Sequence, residues 1–225
     1  MKNEKLQGGP CPVDSTEYPA PNGGKTETNS VKVGDYIAFG SYPQGQDGVG
    51  AKPIEWQVLD VKDGRALLIS MFALDCKPYH EYFGIVSWED CSLRAWLNSV
   101  FLRKAFTADE QARIADATVS ADINPEYRSD QGCDTVDKVF LLSTKEAERY
   151  FASDEERRCV MTAFAVENGG YMSLDGFCWW LLRTVGRDGI SSTLVDDYGK
   201  IAFTGGRAEK RDRGVRPAIW IKLEQ

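Results

Sequence analysis

The first third of the chain alternates apolar and polar residues with the two-residue period of β-strands. Residues 31–40 form the first such run. The next two runs, 54–61 and 65–70, are joined by Lys-Asp-Gly, a sequence typical of tight turns, so they predict a β-hairpin. Residues 1–30 are rich in Gly, Pro, Asn, Thr and Lys and have almost no periodic apolar pattern. They predict a flexible or loosely docked arm ahead of the folded domain.

The middle of the chain changes to a helical period. Apolar residues over 92–106 recur close to helical spacing, and the run 138–143 reads as a buried strand. Three capping boxes, each a serine or threonine three positions before a glutamate, predict helix starts. They are Thr107 with Glu110, Ser143 with Glu146, and Ser153 with Glu156.

Strand composition returns in the last third of the chain. Four runs carry it: 177–182, 191–196, 200–204 and 215–223. Strands, then helices, then strands indicate an α+β domain, with helices packed on one side of an antiparallel sheet and long loops between the late strands. We expect a single domain over residues 31–225.

Charge and composition narrow the function classes. The chain of 225 residues carries 34 acidic and 27 basic residues, a net charge of −7, which disfavours nucleic acid as a partner. A basic cluster near the C-terminus is interrupted by acids and reads as a solvated loop. It consists of Arg207, Lys210, Arg211, Arg213 and Arg216.

The lack of a recognisable signal segment or membrane span in the sequence predicts a soluble protein. There is no apolar signal segment at the N-terminus and no run of about 18 apolar residues that could span a membrane. The sequence as written therefore predicts a cytoplasmic protein, or an extracellular one if a signal was removed. Six cysteines are too sparse to replace a core, and free thiols are the simpler expectation.

Seven motifs resemble a widespread bacterial family of uncharacterised domains with a C-type-lectin-like fold, distantly similar to the sulfatase-modifying-factor (formylglycine-generating enzyme) branch. The motifs are FGSYPQ (39–44), IEWQVL (54–59), LDCKPY (74–79), SLRAWLN (92–98), DTVDKVFLLS (134–143), WWLLR (179–183) and GVRPAIWI (214–221). The resemblance implies a fold and not an activity.

The resemblance has further implications for particular residues. It places the terminal strand, 215–223, beside the first strand, 31–39. The formylglycine-generating enzymes use a cysteine pair close to their C-terminal strands, whereas this chain has no cysteine beyond Cys178, so catalysis of that kind is not supported. The family often shows three tryptophans in a row where this chain has two, so the aromatic platform is expected to be smaller.

Aromatic faces and guanidinium groups in the last third can orient sugars, carboxylates or peptide side chains. The candidate ligand-binding residues are Trp179, Trp180, Arg183, Arg187, Tyr198, Phe203, Arg207 and Arg216. They favour a non-enzymatic module that recognises a glycan or protein surface through the loops at 184–213. Alternation along the strand predicts that at least one of the two tryptophans is core. For Arg216 the favoured alternative is a structural salt bridge to Asp134 or Asp137.

Two other functions stay open. One is a structural or interaction domain of a larger assembly, with the N-terminal arm docking on a partner. The other is a small enzyme that uses Cys76 and His80, the only histidine, or an acidic pair in a cleft.

Acidic residues in the late loops are candidate ligands for calcium. Asp196 and Asp197, with Asp188 and Glu209 nearby, could supply oxygen ligands, but no EF-hand loop or calcium-dependent lectin tripeptide is present. A turn explains them more simply, and no metal or cofactor is predicted.

Alternation in the terminal strand assigns Trp220 and Arg216 to one face. If both faces of this strand are covered, replacing Trp220 with alanine should leave a cavity and cost roughly 3–5 kcal/mol.

Overall fold

The computed structural model of the protein describes residues 31–223, so the predicted arm lies outside the described residues. Twelve strands occur in this range. They are β1 Tyr36–Pro43, β2 Ala51–Lys62, β3 Arg65–Ser70, β4 Asp75–Cys76, β5 Ala117–Val119, β6 Thr135–Asp137, β7 Val139–Phe140, β8 Trp180–Val185, β9 Ser191–Val195, β10 Ile201–Arg207, β11 Gly214–Val215 and β12 Ala218–Lys222.

The helices are short and lie between β4 and β8. They are α1 Ser92–Trp96, α2 Leu102–Ala105, α3 Ala108–Arg113, α4 Thr144–Tyr150, α5 Asp154–Arg157 and α6 Ala163–Glu167. A π-helical segment, Leu97–Phe101, joins α1 to α2. No helix within residues 31–223 is long and apolar enough to cross a lipid bilayer.

The strands form two five-stranded sheets and a two-stranded one, which gives a mixed α+β fold with mainly antiparallel pairing. The first sheet has the order β1-β2-β3-β12-β7 and the second β10-β9-β8-β11-β4, while β5 pairs with β6. The expectation of a single sheet with helices on one side is therefore wrong. Helices contact both large sheets, since α2 packs on β1 whereas α4 packs on β8 and α6 on β4.

The chain passes from the second sheet to the first at Arg216 and Pro217. These residues separate β11 from β12, and the carbonyl of Pro217 accepts a hydrogen bond from the Ser70 amide at 3.0 Å. Proline has no amide hydrogen to donate to a ladder, so a break is favoured at this point. The single strand predicted over 215–223 is for this reason two strands in different sheets.

The terminal strand does not lie beside the first strand. β12 pairs with β3 and β7, while β1 is at the edge of the same sheet and pairs with β2. The β2–β3 hairpin explains the difference, because it places two strands between β1 and β12. The neighbour that the resemblance implies is thus wrong.

Local signals in the sequence are confirmed. The β2–β3 turn has Asp63 and Gly64 at φ of 51° and 67°, the left-handed conformations of a tight hairpin turn. Complete capping boxes start α3 and α4. At α5 the serine hydroxyl accepts from the Glu156 amide, but the carboxylate of Glu156 accepts from the Ala152 amide instead of closing the box.

Trp220 is only half-buried, so the expectation that both faces of its strand are covered is wrong at this position. Its ring lies 4.9 Å from the Lys62 ammonium and 5.7 Å from the Arg65 guanidinium carbon. The three side chains line a shallow cleft of about 260 Å³ together with residues 116–118.

We therefore expect Trp220→Ala to lower the free energy of unfolding by only about 1–2 kcal/mol, the combined value of partial burial and two exposed cation–π contacts. Trp220→Phe keeps an aromatic face and is the matched control, with a smaller loss. Urea titrations of both variants check this through the midpoint at unchanged slope. A loss for the alanine variant of about 3 kcal/mol or more would restore the fully buried interpretation.

Candidate functional site

The structure divides the predicted binding residues by exposure. Trp180, Arg183 and Arg216 are buried, Trp179 and Phe203 are half-buried, and Arg187, Tyr198 and Arg207 are exposed. The prediction that at least one tryptophan is core is confirmed. The ligand-binding role stays a prediction, and only the exposed members present a surface on which a ligand can be recognised.

Trp180 and Arg216 pack against each other in the interior. The indole Nε1 of Trp180 donates to the carbonyl of Arg157 at 2.9 Å. The guanidinium of Arg216 lies 5.0 Å from the Trp180 ring and 5.3 Å from the Phe151 ring, and its Nε donates to the Ser70 carbonyl at 2.9 Å. These contacts stabilise the junction between the two sheets.

The predicted salt bridge of Arg216 is absent among residues 31–223. Asp137 pairs with Arg94 at 2.7 Å, and Asp134 accepts a hydrogen bond from the Ala121 amide at 2.8 Å. Both carboxylates are engaged in the segment where β5 pairs with β6, which explains why neither is a partner for the sheet junction.

Arg183 connects β8 to the helical layer. Its guanidinium pairs with Asp122 at 3.2 Å and with Glu146, and it donates to the carbonyls of Ser120 and Leu141. Its side chain is only 2% exposed. A buried charge is tolerated at this position because two carboxylates and two carbonyls satisfy it.

Exposed apolar side chains concentrate in the loop 81–86. Tyr82, Phe83 and Ile85 are 75%, 65% and 85% exposed. Among the residues that the structure describes, no other four consecutive positions carry three exposed large hydrophobic side chains. A concentration of this kind marks an interaction surface more often than single exposed residues do.

Hydrogen bonds hold this loop at both ends against the late strands. The His80 amide donates to the Ala208 carbonyl and the Val86 amide to the Gly189 carbonyl, each at 3.0 Å. The Glu81 amide also donates to the Ser92 hydroxyl at 2.9 Å. The exposed side chains are thus carried by a loop with a fixed base.

Arginines border the apolar side chains. The guanidinium of Arg207 lies 4.8 Å from the Phe83 ring, and its Nε donates to Glu209 at 2.6 Å. Arg187 is exposed on the turn after β8, two residues before the Gly189 that contacts the loop. We name the set Tyr82, Phe83, Ile85, Arg187 and Arg207 the loop patch.

Gly189 allows the close approach of this turn to the loop. It has φ of +72°, and a Cβ atom at this position would lie 3.2 Å from a methyl carbon of Ile85. Both the left-handed conformation and the tight contact favour glycine. The sequence therefore encodes the contact between the loop and the turn.

Trp179 and Tyr198 belong to a second, separate group. Trp179 donates to the Asp197 carboxylate at 2.9 Å, and its ring packs edge-on against Tyr171 at 5.7 Å. Tyr198 follows Asp197 in the turn and is 66% exposed. The exposed Leu174 lies in the segment between Tyr171 and Trp179. The predicted residues therefore do not converge on one site.

Cys76, the thiol of the proposed Cys76–His80 pair, is buried. Burial, reinforced by the charge of Asp75, raises the pKa of the Cys76 thiol to about 12. Its Sγ donates to the Arg211 carbonyl at 3.2 Å. The Nδ1 of His80 accepts from the Ser92 amide at 3.2 Å, which leaves only Nε2 for a proton in the neutral ring. A protonated thiol is a poor nucleophile at neutral pH.

The acidic residues Asp196 and Asp197 lie in a tight turn. Asp196 accepts hydrogen bonds from the amides of Tyr198 and Lys200 at 2.9 and 2.8 Å. Within residues 31–223 no three histidine, cysteine, aspartate or glutamate side chains are grouped so that they could hold a metal ion. The predicted turn at Asp197-Tyr198-Gly199 is confirmed, with the Gly199 amide donating to the Asp196 carbonyl at 3.0 Å.

The sequence profile of a family described as a domain of unknown function, DUF6273, matches residues 63–223. The chain belongs to the DUF6273 family. The matched range starts in the β2–β3 turn and includes every residue of the loop patch, whereas β1 and β2 precede it. No curated protein and no solved structure matches the chain.

Three members of the loop patch were not found from the DUF6273 sequence. Tyr82, Phe83 and Ile85 belong to a short apolar run interrupted by Gly84, which has neither strand nor helix period. The run follows Pro78 and precedes a helix, so it is expected to be a loop, and large apolar side chains in a loop are the signal that could have identified it.

Proposed function

We propose that this domain is a non-enzymatic binding module that recognises the surface of another protein through the loop patch. The observation that carries the proposal is the exposure of Tyr82, Phe83 and Ile85 on a loop whose ends are anchored. Arg187 and Arg207 of the predicted 184–213 region supply the polar rim. Such an arrangement, apolar in the middle and charged at the edge, is common in protein interfaces.

The chemistry of the patch favours a protein over a glycan. Tyrosine, phenylalanine and arginine are enriched in protein interfaces, and tyrosine and arginine in particular among the residues that contribute most binding energy. Ile85 offers neither a hydrogen bond nor a flat ring to a sugar. The anchored base lowers the entropy that the loop would lose on binding, which favours affinity.

The proposal also includes a specific fold within the mixed α+β class. A C-type-lectin-like fold, distantly related to the sulfatase-modifying factors, is supported by a terminal strand inside a sheet. The prediction of long loops between the late strands is wrong, because β8, β9, β10 and β11 are joined by segments of only five or six residues. In this interpretation the loop patch uses the same late-strand region that such folds use for recognition. The larger-assembly alternative is compatible, since the partner in that case is a neighbouring protein of the assembly.

Selection of a phage-displayed random peptide library on the purified domain tests the proposal. We expect apolar peptides that bind the parent, and at least about a tenfold weaker binding to Phe83→Ala, because a central aromatic anchor is worth more than 1 kcal/mol. Leu174→Ala is the matched control, since Leu174 is also an exposed large apolar residue, 107% exposed against 65% for Phe83, but lies in the other group. The free energy of unfolding of both variants should stay within about 0.5 kcal/mol of the parent.

Three results would contradict the proposal. One is selected peptides whose binding is unchanged in Phe83→Ala. Another is binding that Leu174→Ala removes instead. The third is a glycan array on which the parent binds a sugar through the loop patch while no peptide is selected, which would replace the protein partner by a carbohydrate.

A further inference from the structure

Cys159 and Cys178 lie side by side in the interior. They are 2% and 0% exposed, and the Cys178 amide donates to the Cys159 carbonyl at 2.8 Å. Standard bond lengths then keep the two Cα atoms within about 7 Å, the range that a disulfide spans. The two thiols interact with each other, the Cys159 Sγ also donates to the carbonyls of Met71 and Val160 at 3.7 and 3.5 Å, and both cysteines are in the reduced form. The pair is placed to be bridged with little backbone movement.

The guanidinium of Arg216, which has no carboxylate partner among residues 31–223, influences the pKa of both thiols. The positive charge of Arg216 favours the ionised form of both thiols. Arg216 is 3% exposed, its Nη1 has no hydrogen-bond partner, and it forms no ion pair with any carboxylate of the described range. A buried guanidinium is costly unless an anion compensates it.

The pKa values of the two thiols are shifted in opposite directions. Burial raises the pKa of Cys159, but the interaction with Cys178 and the charge of Arg216 outweigh burial and lower the pKa below its ordinary value. The hydrogen bond with Cys159, together with burial, raises the pKa of Cys178 well above its ordinary value. The opposite directions of these shifts favour Cys159 as the attacking and Cys178 as the resolving cysteine.

We propose that Cys159 and Cys178 are a redox-active pair that hydrogen peroxide converts into a disulfide, with the positive charge of Arg216 favouring attack by Cys159. The Cys159 sulfur attacks one peroxide oxygen, the O–O bond breaks, and the released hydroxide takes a proton to leave as water. Cys178 then attacks the sulfenic acid, the S–O bond breaks, and a second water leaves with the proton of Cys178. In sum two thiols are oxidised, and one peroxide is reduced to two waters.

The disulfide would close the segment between β8 and the end of α5. That segment contains α6 and the exposed residues Tyr171 and Leu174 of the second group. Linking its ends restricts the unfolded chain and therefore stabilises the fold. This inference does not depend on the loop patch, which lies in other segments of the chain.

Treatment of the folded full chain with hydrogen peroxide at pH 7 tests the pair, because this probe is small enough for a buried site. We expect an intact-mass decrease of about 2 Da, a peptide linking Cys159 to Cys178, and a Tm higher by about 6 °C. The oxidation rate should rise with pH through the neutral range, because the lowered pKa of Cys159 makes its thiolate available there. Cys178→Ser should stop at a sulfenic acid on Cys159 that dimedone traps.

Cys91 is the internal control for burial alone. It is as buried as Cys159, but burial raises its pKa to about 12, so it should stay reduced under the same treatment. Arg216→Met should slow the oxidation at least about tenfold at pH 7 because the thiolate fraction falls. If this variant does not fold, the pH profile of the parent decides. Absence of the linked peptide, or oxidation of Cys91 as fast as that of Cys159, would overturn the proposal.

Discussion

Replacing Trp180 with alanine should lower the free energy of unfolding by about 3–5 kcal/mol. The indole is fully buried at the junction of the two sheets, and its removal leaves a cavity between Phe151 and Arg216. It also leaves the Arg157 carbonyl without the indole hydrogen bond. Urea denaturation, read as a shift of the midpoint at unchanged slope, measures the loss.

The neighbouring tryptophan is the matched control. Trp179 is half-buried and bonded to the carboxylate of Asp197, so Trp179→Ala should cost about 1–2 kcal/mol. Equal losses for the two variants would mean that the assignment of Trp180 to the core and Trp179 to the boundary is wrong.

Arg183→Met should cost about 3 kcal/mol, the second-largest effect that we expect. The substitution removes a partner of both Asp122 and Glu146; Asp122 keeps only the exposed Lys145 at 3.5 Å, and Glu146 loses the guanidinium with which it pairs. The estimate is at the low end for a buried ion pair because both carboxylates keep some contact with solvent, 14% and 27% exposed. The same urea titration applies.

Arg187→Met, four residues later and exposed, is the control for charge removal as such. Its free energy of unfolding should stay within about 0.5 kcal/mol of the parent. An Arg183→Met variant as stable as the Arg187→Met variant would show that the Arg183 network contributes little, as many ion pairs do.

Features that depend on a few consecutive residues could be predicted from the sequence. The hairpin turn at Asp63 and Gly64 follows from left-handed conformations that few residue types adopt. The starts of α3 and α4 follow from a hydroxyl and a carboxylate three residues apart. Each of these signals is complete within four residues, so no tertiary contact is needed to interpret it.

Features that depend on distant contacts could not be predicted. Alternation assigns Arg216 to a strand face, but Pro217 interrupts the strand, and Arg216 turns into the sheet junction beside Trp180 and the thiols. Likewise nothing local indicates that residues 81–86 lie beside Gly189 and Arg207. These contacts arise from pairings over about a hundred residues of sequence, which periodicity does not encode.

The most direct measurement of the central claim is the location of binding on the domain. Titration of a selected peptide into the ¹⁵N-labelled protein, followed by amide chemical shifts, reports it residue by residue. The loop patch predicts that the largest changes occur at residues 81–86, with smaller ones at Arg187 and Arg207. Changes centred on Trp179 and Tyr198, with residues 81–86 unaffected, would contradict the assignment of the binding surface to this loop.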